Sequence, residues 1–233
     1  AEPERFENGF TQSMPADAPY SLSFERDGGT VFCRFRREEP ARPVPAWGEL
    51  EAENKTYWKT FWDSVTVIRS GNPLLDLCYY LGLFRFQSMT APDGVPAGLQ
   101  GPWIEDHNLP PWSSDYHFNI NVQMCYWPAY RAGLFDNLKP LFALIRSWRD
   151  ILRSNAKHFV GIDNGYMMPH AVDDRCVCMG TFWSGTIDHA CAAWMAQMMC
   201  EYYDYTGDGE FLRDFAFEFM TGVMNVYLAM LEE

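Results

Sequence analysis

Basic residues are scarce in this chain: 18 lysines and arginines face 31 aspartates and glutamates, a net charge of −13. A nucleic-acid partner needs Lys and Arg clustered along a phosphate backbone, so this balance argues against that class. The same sign disfavours docking to an anionic membrane surface. No apolar run reaches the roughly 20 residues that span a bilayer, so no membrane insertion is expected. A secretory leader is missing too, although the chain opens at Ala1 rather than at a methionine. Both ends read as internal boundaries, since an apolar helical pattern simply stops at Glu233. The seven cysteines lack a framework spacing, with only Cys176 and Cys178 close together. That pattern predicts small buried apolar residues rather than a disulfide scaffold.

Aromatic side chains are abundant instead, at 16% with nine Trp. Some of them must fill the core, because each buries a large area. Others sit in Pro-rich loops, where a flat indole suits the CH face of a pyranose. With 48% hydrophobic and 21% charged residues, the chain has the composition of a folded protein with a sizeable core. Its acidity and its aromatic loops together favour a neutral ligand.

The order of elements is legible from hydrophobic period. Tyr20–Phe24 and Thr30–Phe35 alternate, and Asp27-Gly28-Gly29 between them signals a hairpin. The stretch Pro40 to Pro45 reads as a linker. Beyond it the period becomes helical, first over Asn54 to Ser64. Pro73 to Gln87 is apolar around nearly its whole circumference, which predicts a helix buried on all sides. Thr90 to His117 has little periodicity, and its Pro turns and Trp residues predict an ordered binding loop. Helical patterns return at Ile120–Tyr130, Leu138–Arg153, Ile187–Tyr205 and Phe211–Leu231. Roughly six helices joined by alternately short and long loops suggest stacked helical hairpins.

The most informative stretch is Gly98-Leu-Gln-Gly-Pro-Trp103, followed by Pro110-Pro-Trp112-Ser-Ser-Asp-Tyr-His117-Phe-Asn119-Ile-Asn121 and on to Tyr126-Trp127-Pro128. In order, spacing and rare residue types it resembles glycoside hydrolase family 95, the inverting α-L-fucosidases and α-L-galactosidases. Gly165 to Asp173 and Ala192 to Asp208 extend the resemblance. It implies an all-α (α/α)6 toroid of the six-hairpin type, present in part. Residues 46–233 would be the N-terminal half of that barrel, and residues 1–45 a short β remnant and linker from an upstream domain.

The resemblance also implies a mechanism. An inverting glycosidase protonates the leaving oxygen while water attacks the opposite face. Asn119 and Asn121 match the pair that positions this water. An amide carbonyl orients water but cannot take its proton at neutral pH. The assisting carboxylate and the general acid would lie beyond Glu233. His117, Trp103, Glu105, Trp112, His170, Asp173, Trp183 and Trp194 become candidate sugar contacts. No cofactor is required, and the partner is a glycan or polysaccharide. The resemblance favours a bacterial periplasmic or secreted setting. Where the family has a His and a Trp, the chain has Met198-Met-Cys200-Glu201, which puts fucose itself in question.

Plainer readings stand beside these. Asn119 and Asn121 could simply cap a helix or make turns, and His117 could be a structural hydrogen-bonding residue. Glu201, flanked by tyrosines in a helical pattern, reads as a buried, hydrogen-bonded structural carboxylate rather than a general acid. His170, Asp173, Asp174, Cys176 and Cys178 are metal-ligand types, but no second ligand pair supports a metal. Two other functions stay open, a different (α/α)6 carbohydrate-active enzyme (rhamnosidase-like or lyase) and an inactive carbohydrate-binding relative.

Overall fold

A computed structural model describes residues 2–15, 17–37, 45–103, 105, 107–179 and 188–231. The first of these form a four-stranded antiparallel meander, β1 (Glu4–Phe6), β2 (Gly9–Gln12), β3 (Tyr20–Asp27) and β4 (Thr30–Arg37), in sequential order. The predicted hairpin closes with Asp27 opposite Thr30. Its two-residue turn needs positive φ, which Gly28 supplies at 55°. The predicted linker falls largely on residues 38–44, outside those described. Helix α1 (Trp47–Ser64) begins earlier than its apolar pattern. Its first two turns present no hydrophobic face but contain good helix formers, Glu and Ala. Trp58 and Trp62 stack along one side, with Phe61 buried beside them.

The chain divides into two compact units, Ala1–Ser64 and Val65–Glu233. The second is mostly helical, with α2 (Pro73–Thr90), α3 (Asn121–Ala132), α4 (Lys139–Ser147), α5 (Arg149–Val160), α6 (Ala190–Thr206) and α7 (Phe217–Leu231). Asn72 caps α2 through Leu74 N–H, and Pro73 occupies the first turn, where a missing N–H costs nothing. The predicted burial of α2 on all sides is not observed. Only Leu83, Phe86, Gln87 and Thr90 are buried, whereas Leu74, Leu75 and Leu77 are 66%, 57% and 59% exposed. Neighbours within this unit meet the helix along a single stripe, so the remaining arc stays uncovered. The link across that stripe is polar: Asn137 donates to Gln87 Oε1 at 2.9 Å and to Thr90 Oγ1 at 3.1 Å, all three side chains being buried.

Two further expectations are corrected. The pattern Leu138–Arg153 is not one helix: a 3-10 turn over Phe135–Leu138 leads into α4, which breaks at Trp148 before α5. Turning inward there buries the indole (2% exposed), and its Nε1–H donates to Asp174 O at 3.0 Å. The cysteines are not mostly buried. Cys176 and Cys191 are, but Cys33, Cys78 and Cys200 are exposed on a strand and two helices, because their faces point outward.

The core of the second unit is continuous across α3, α4, α6 and α7, with Phe118, Tyr126, Leu138, Leu141, Ile145, Met168, Met195 and Phe219 at 0% exposure and Phe215 at 1%. Each such side chain contributes about 1.5–3 kcal/mol of transfer free energy. Tyr130 on α3 donates to Met198 O on α6 at 2.7 Å. Before α7 the helix widens into a π turn, Leu212–Ala216, which keeps Phe211, Phe215 and Phe219 in one ring-packed series.

Candidate active site

The site is built on a strand pair too short to show in the sequence pattern. β5 (Tyr116–His117) pairs antiparallel with β6 (Ala171–Val172), placing Tyr116 opposite Val172 and His117 opposite Ala171. Alternation along β5 sends Tyr116 and Phe118 to one side. They stack at 6.3 Å and pack edge-on against Trp148. Tyr116 donates to Pro96 O at 2.9 Å, and burial, with the nearby charge of Asp174, pushes its phenol up to about 12. The following backbone is tied on both flanks: Phe118 N–H donates to His170 O, and Gln123 Nε2 donates to Phe118 O, both at 2.6 Å. The chain therefore leaves β5 on a fixed course into α3.

The other side of β5 carries charge. Asp115 and His117, two residues apart and so on the same face, have side chains only 6% and 8% exposed, with Oδ1 3.1 Å from Nδ1. That contact is off the line a hydrogen bond requires, and among the described residues Asp115 Oδ1 has no hydrogen-bond partner. The His170 ring lies 5.4 Å from that of His117, and Trp112 meets His117 edge-on at 5.7 Å. Burial pushes the Asp115 carboxyl above the usual carboxylate range, against the pull of His117 and His170. Burial likewise holds His117 below the usual imidazole value, against the Asp115 charge, and His170 lowers it further.

Asn119 and Asn121 follow at the entrance of α3, and both are exposed. Among the described residues neither side chain has a hydrogen-bond partner, and α3 has no side-chain cap. The capping reading therefore does not hold. Two open amides stand where the first N–H groups of a helix point outward, a setting that favours an electron-rich oxygen.

The binding loop leaves and rejoins the site at one point, where Leu99 N–H donates to Asp115 O at 3.0 Å. Inside it Gln100, Pro102, Trp103, Glu105, Asn108 and the prolines up to Pro111 line a groove of about 500 Å³. Trp103 is 49% exposed, and Glu105 accepts from Asn108 Nδ2 at 3.1 Å. The loop returns through Trp112, Ser113 and Ser114, all at φ between 53° and 56°. Three consecutive non-glycine residues in the left-handed region store strain, and the turn leaves Trp112 67% exposed beside His117.

The remaining candidates are more dispersed. The Asp173 carboxylate is held inside its own loop by Arg175 and by the backbone N–H groups of Arg175 and Val177. Although burial works the other way, the Val177 and Arg175 hydrogen bonds keep it below the usual carboxylate range. Trp194 on α6 packs against Trp127 on α3 at 6.0 Å. Trp183 lies outside the described residues. Glu201 is half-buried, and among the described residues its carboxylate makes no hydrogen bond, unlike the bonded structural group expected. Among those residues no three His, Cys, Asp or Glu side chains gather as metal ligands. Sequence reasoning missed Asp115. Its signal was the Asp-x-His alternation, which on a strand puts both groups on one face.

Comparison with known proteins agrees in part with this picture. The sequence pattern described as the glycosyl hydrolase family 95 catalytic domain matches residues 48–233. The chain is 28% identical over 164 residues to probable alpha-fucosidase A of Aspergillus niger, covering 69% of this chain and 21% of that protein. It is 29% identical over 161 residues to alpha-L-fucosidase 2 of Arabidopsis thaliana, covering 66% of this chain and 18% of that protein. A shorter match, 42% identical over 65 residues, is to probable alpha-fucosidase A of Aspergillus oryzae, covering 28% of this chain and 9% of that protein. The chain thus spans about a fifth of the length of the first two relatives.

Proposed function

Because the chain belongs to glycosyl hydrolase family 95, matched over residues 48–233, we propose that it serves the hydrolysis of terminal α-L-fucosyl or α-L-galactosyl residues, with inversion at the anomeric carbon. In this reading its helices are consecutive hairpins of an (α/α)6 toroid over residues 46–233. Residues 1–45 belong to a β-domain before it.

One observation carries the chemical part: the amides of Asn119 and Asn121 are exposed and, among the described residues, unbonded, on a backbone tied by β5, β6 and Gln123. Two carbonyl oxygens brought together can accept both O–H groups of one water and aim its lone pair at the sugar. They do not remove its proton, which requires a carboxylate, and a separate acid must protonate the leaving oxygen. His117 and His170 then face hydroxyls of the terminal sugar, with Trp112 against a CH face. Trp103 and Glu105 reach the units beyond it. The net charge of −13 agrees with a neutral glycan.

The test uses the full-length product of the reading frame with nitrophenyl α-L-fucoside, α-L-galactoside and α-L-rhamnoside. Release from one of the first two, with the β-anomer formed first by proton NMR, supports the proposal. Asn119→Ala or Asn121→Ala is expected to lower kcat about 10²–10³-fold, the scale of losing one oriented polar group in an active site, with circular dichroism unchanged. Equal activity in both variants would sink the water-positioning role. Binding of fucose without release of any nitrophenol would favour an inactive carbohydrate-binding relative.

A further inference from the structure

Asp115 is a costly residue where it stands. Its side chain is 6% exposed and, among the described residues, Oδ1 has no hydrogen-bond partner, a state that burial penalises by several kcal/mol unless a neighbour answers it. Its own backbone is already committed, since the carbonyl closes the binding loop through Leu99 N–H. The titratable groups acting on the carboxylate are His117 and His170, and those acting on His117 are Asp115 and His170. No Lys or Arg appears among them. Among the described residues, His117 Nδ1 lies 3.1 Å from Oδ1.

We infer that Asp115 is a positioning residue for His117, holding its imidazole with Nδ1–H toward the carboxylate so that Nε2 is left as an acceptor for a sugar hydroxyl. A neutral imidazole carries one N–H, and the hydrogen bond made by one nitrogen decides what the other can offer. The surroundings favour the neutral ring, because burial and His170 both oppose its protonation. The ring is steadied on its remaining sides by Trp112, edge-on at 5.7 Å, and by His170. A small rotation brings Nδ1–H into line with Oδ1, and such contacts commonly tighten only when ligand binds. This choice of tautomer is a geometric matter of the chain itself; its use on a hydroxyl rests on the hydrolase reading above.

The experiment labels the histidines of the 233-residue chain with ¹⁵N and reads their tautomers by long-range ¹H–¹⁵N NMR at pH 7, assigning His117 by its loss in His117→Gln. A neutral Nδ1–H form of His117 is expected. The Nε2–H form or the imidazolium would overturn the inference. In Asp115→Ala the Nδ1–H preference is expected to disappear, while the His158 and His189 signals stay in place as controls for the fold. An unchanged His117 tautomer in that variant also overturns it. In the full-length enzyme, Asp115→Ala is expected to raise KM for the cleaved glycoside about tenfold, what one lost hydrogen bond is worth, with a smaller change in kcat. A flipped tautomer with KM unmoved would remove the sugar-reading role. Inactivity of the wild type toward every glycoside would count against the hydrolase proposal and leave the tautomer result standing.

Discussion

Gly98 stands where a side chain has no room: a Cβ there would come 2.4 Å from Ser114 O, inside backbone contact distance. The position lies beside the bond that closes the binding loop, Leu99 N–H to Asp115 O. Gly98→Ala should therefore force the two stems apart, at about 1–3 kcal/mol, and should weaken glycan binding along with stability. Gly48 is the counterpart, in the first turn of α1 with open space around its Cα. Gly48→Ala should stabilise by about 0.5–1 kcal/mol through helix propensity. Urea midpoints measured for both variants are expected to move in opposite directions. At this scale a glycine's identity was plain in the sequence, but nothing in the letters separates the crowded position from the open one. Asn119 and Asn121 were legible through the motif, whereas the missing cap on α3 that leaves them open was not.

Elements bring those residues together, and the break at Trp148 matters most. Its indole ends α4, bonds to Asp174 O and receives the edges of Tyr116 and Phe118. Removing it in Trp148→Ala should cost about 3–5 kcal/mol and loosen the strand that leads to Asn119. Trp148→Phe keeps most of the packing and loses the N–H bond, so about 1–2 kcal/mol is expected. Thermal or urea unfolding gives both numbers, and a cost for Trp148→Ala within 1 kcal/mol of the wild type would contradict this account. Periodicity found the helices of the second unit but merged α4 with α5, because the indole turns inward without interrupting the hydrophobic repeat. It passed over β5 and β6 altogether. Two residues cannot display an alternation, and their pairing joins positions more than fifty apart in the chain.

For the whole molecule the governing quantity is a net charge of −13. A field of that sign repels anionic ligands over distances set by the ionic strength, about 8 Å at 0.15 M and about 30 Å at 0.01 M. This chain is accordingly expected to bind a sulfated or uronate-bearing glycan more weakly than its neutral counterpart. The gap should be several-fold near 0.01 M salt and should narrow as salt is added. Calorimetric titrations at two ionic strengths check this, and equal affinities at low salt would mean that the glycan meets no net negative field.

What the sequence determined by itself is what local spacing and composition can encode. It set the hairpin at Gly28-Gly29, the run of helices, and a motif specific enough to name a family. Tertiary structure alone decided which side chains face one another. It brought Asp115 to His117 and His170, exposed one arc of the uniformly apolar α2, and turned Asp173 inward onto Arg175. The physical reason is that burial and pairing depend on three-dimensional neighbours. Period and residue type report only what each segment prefers before those neighbours arrive.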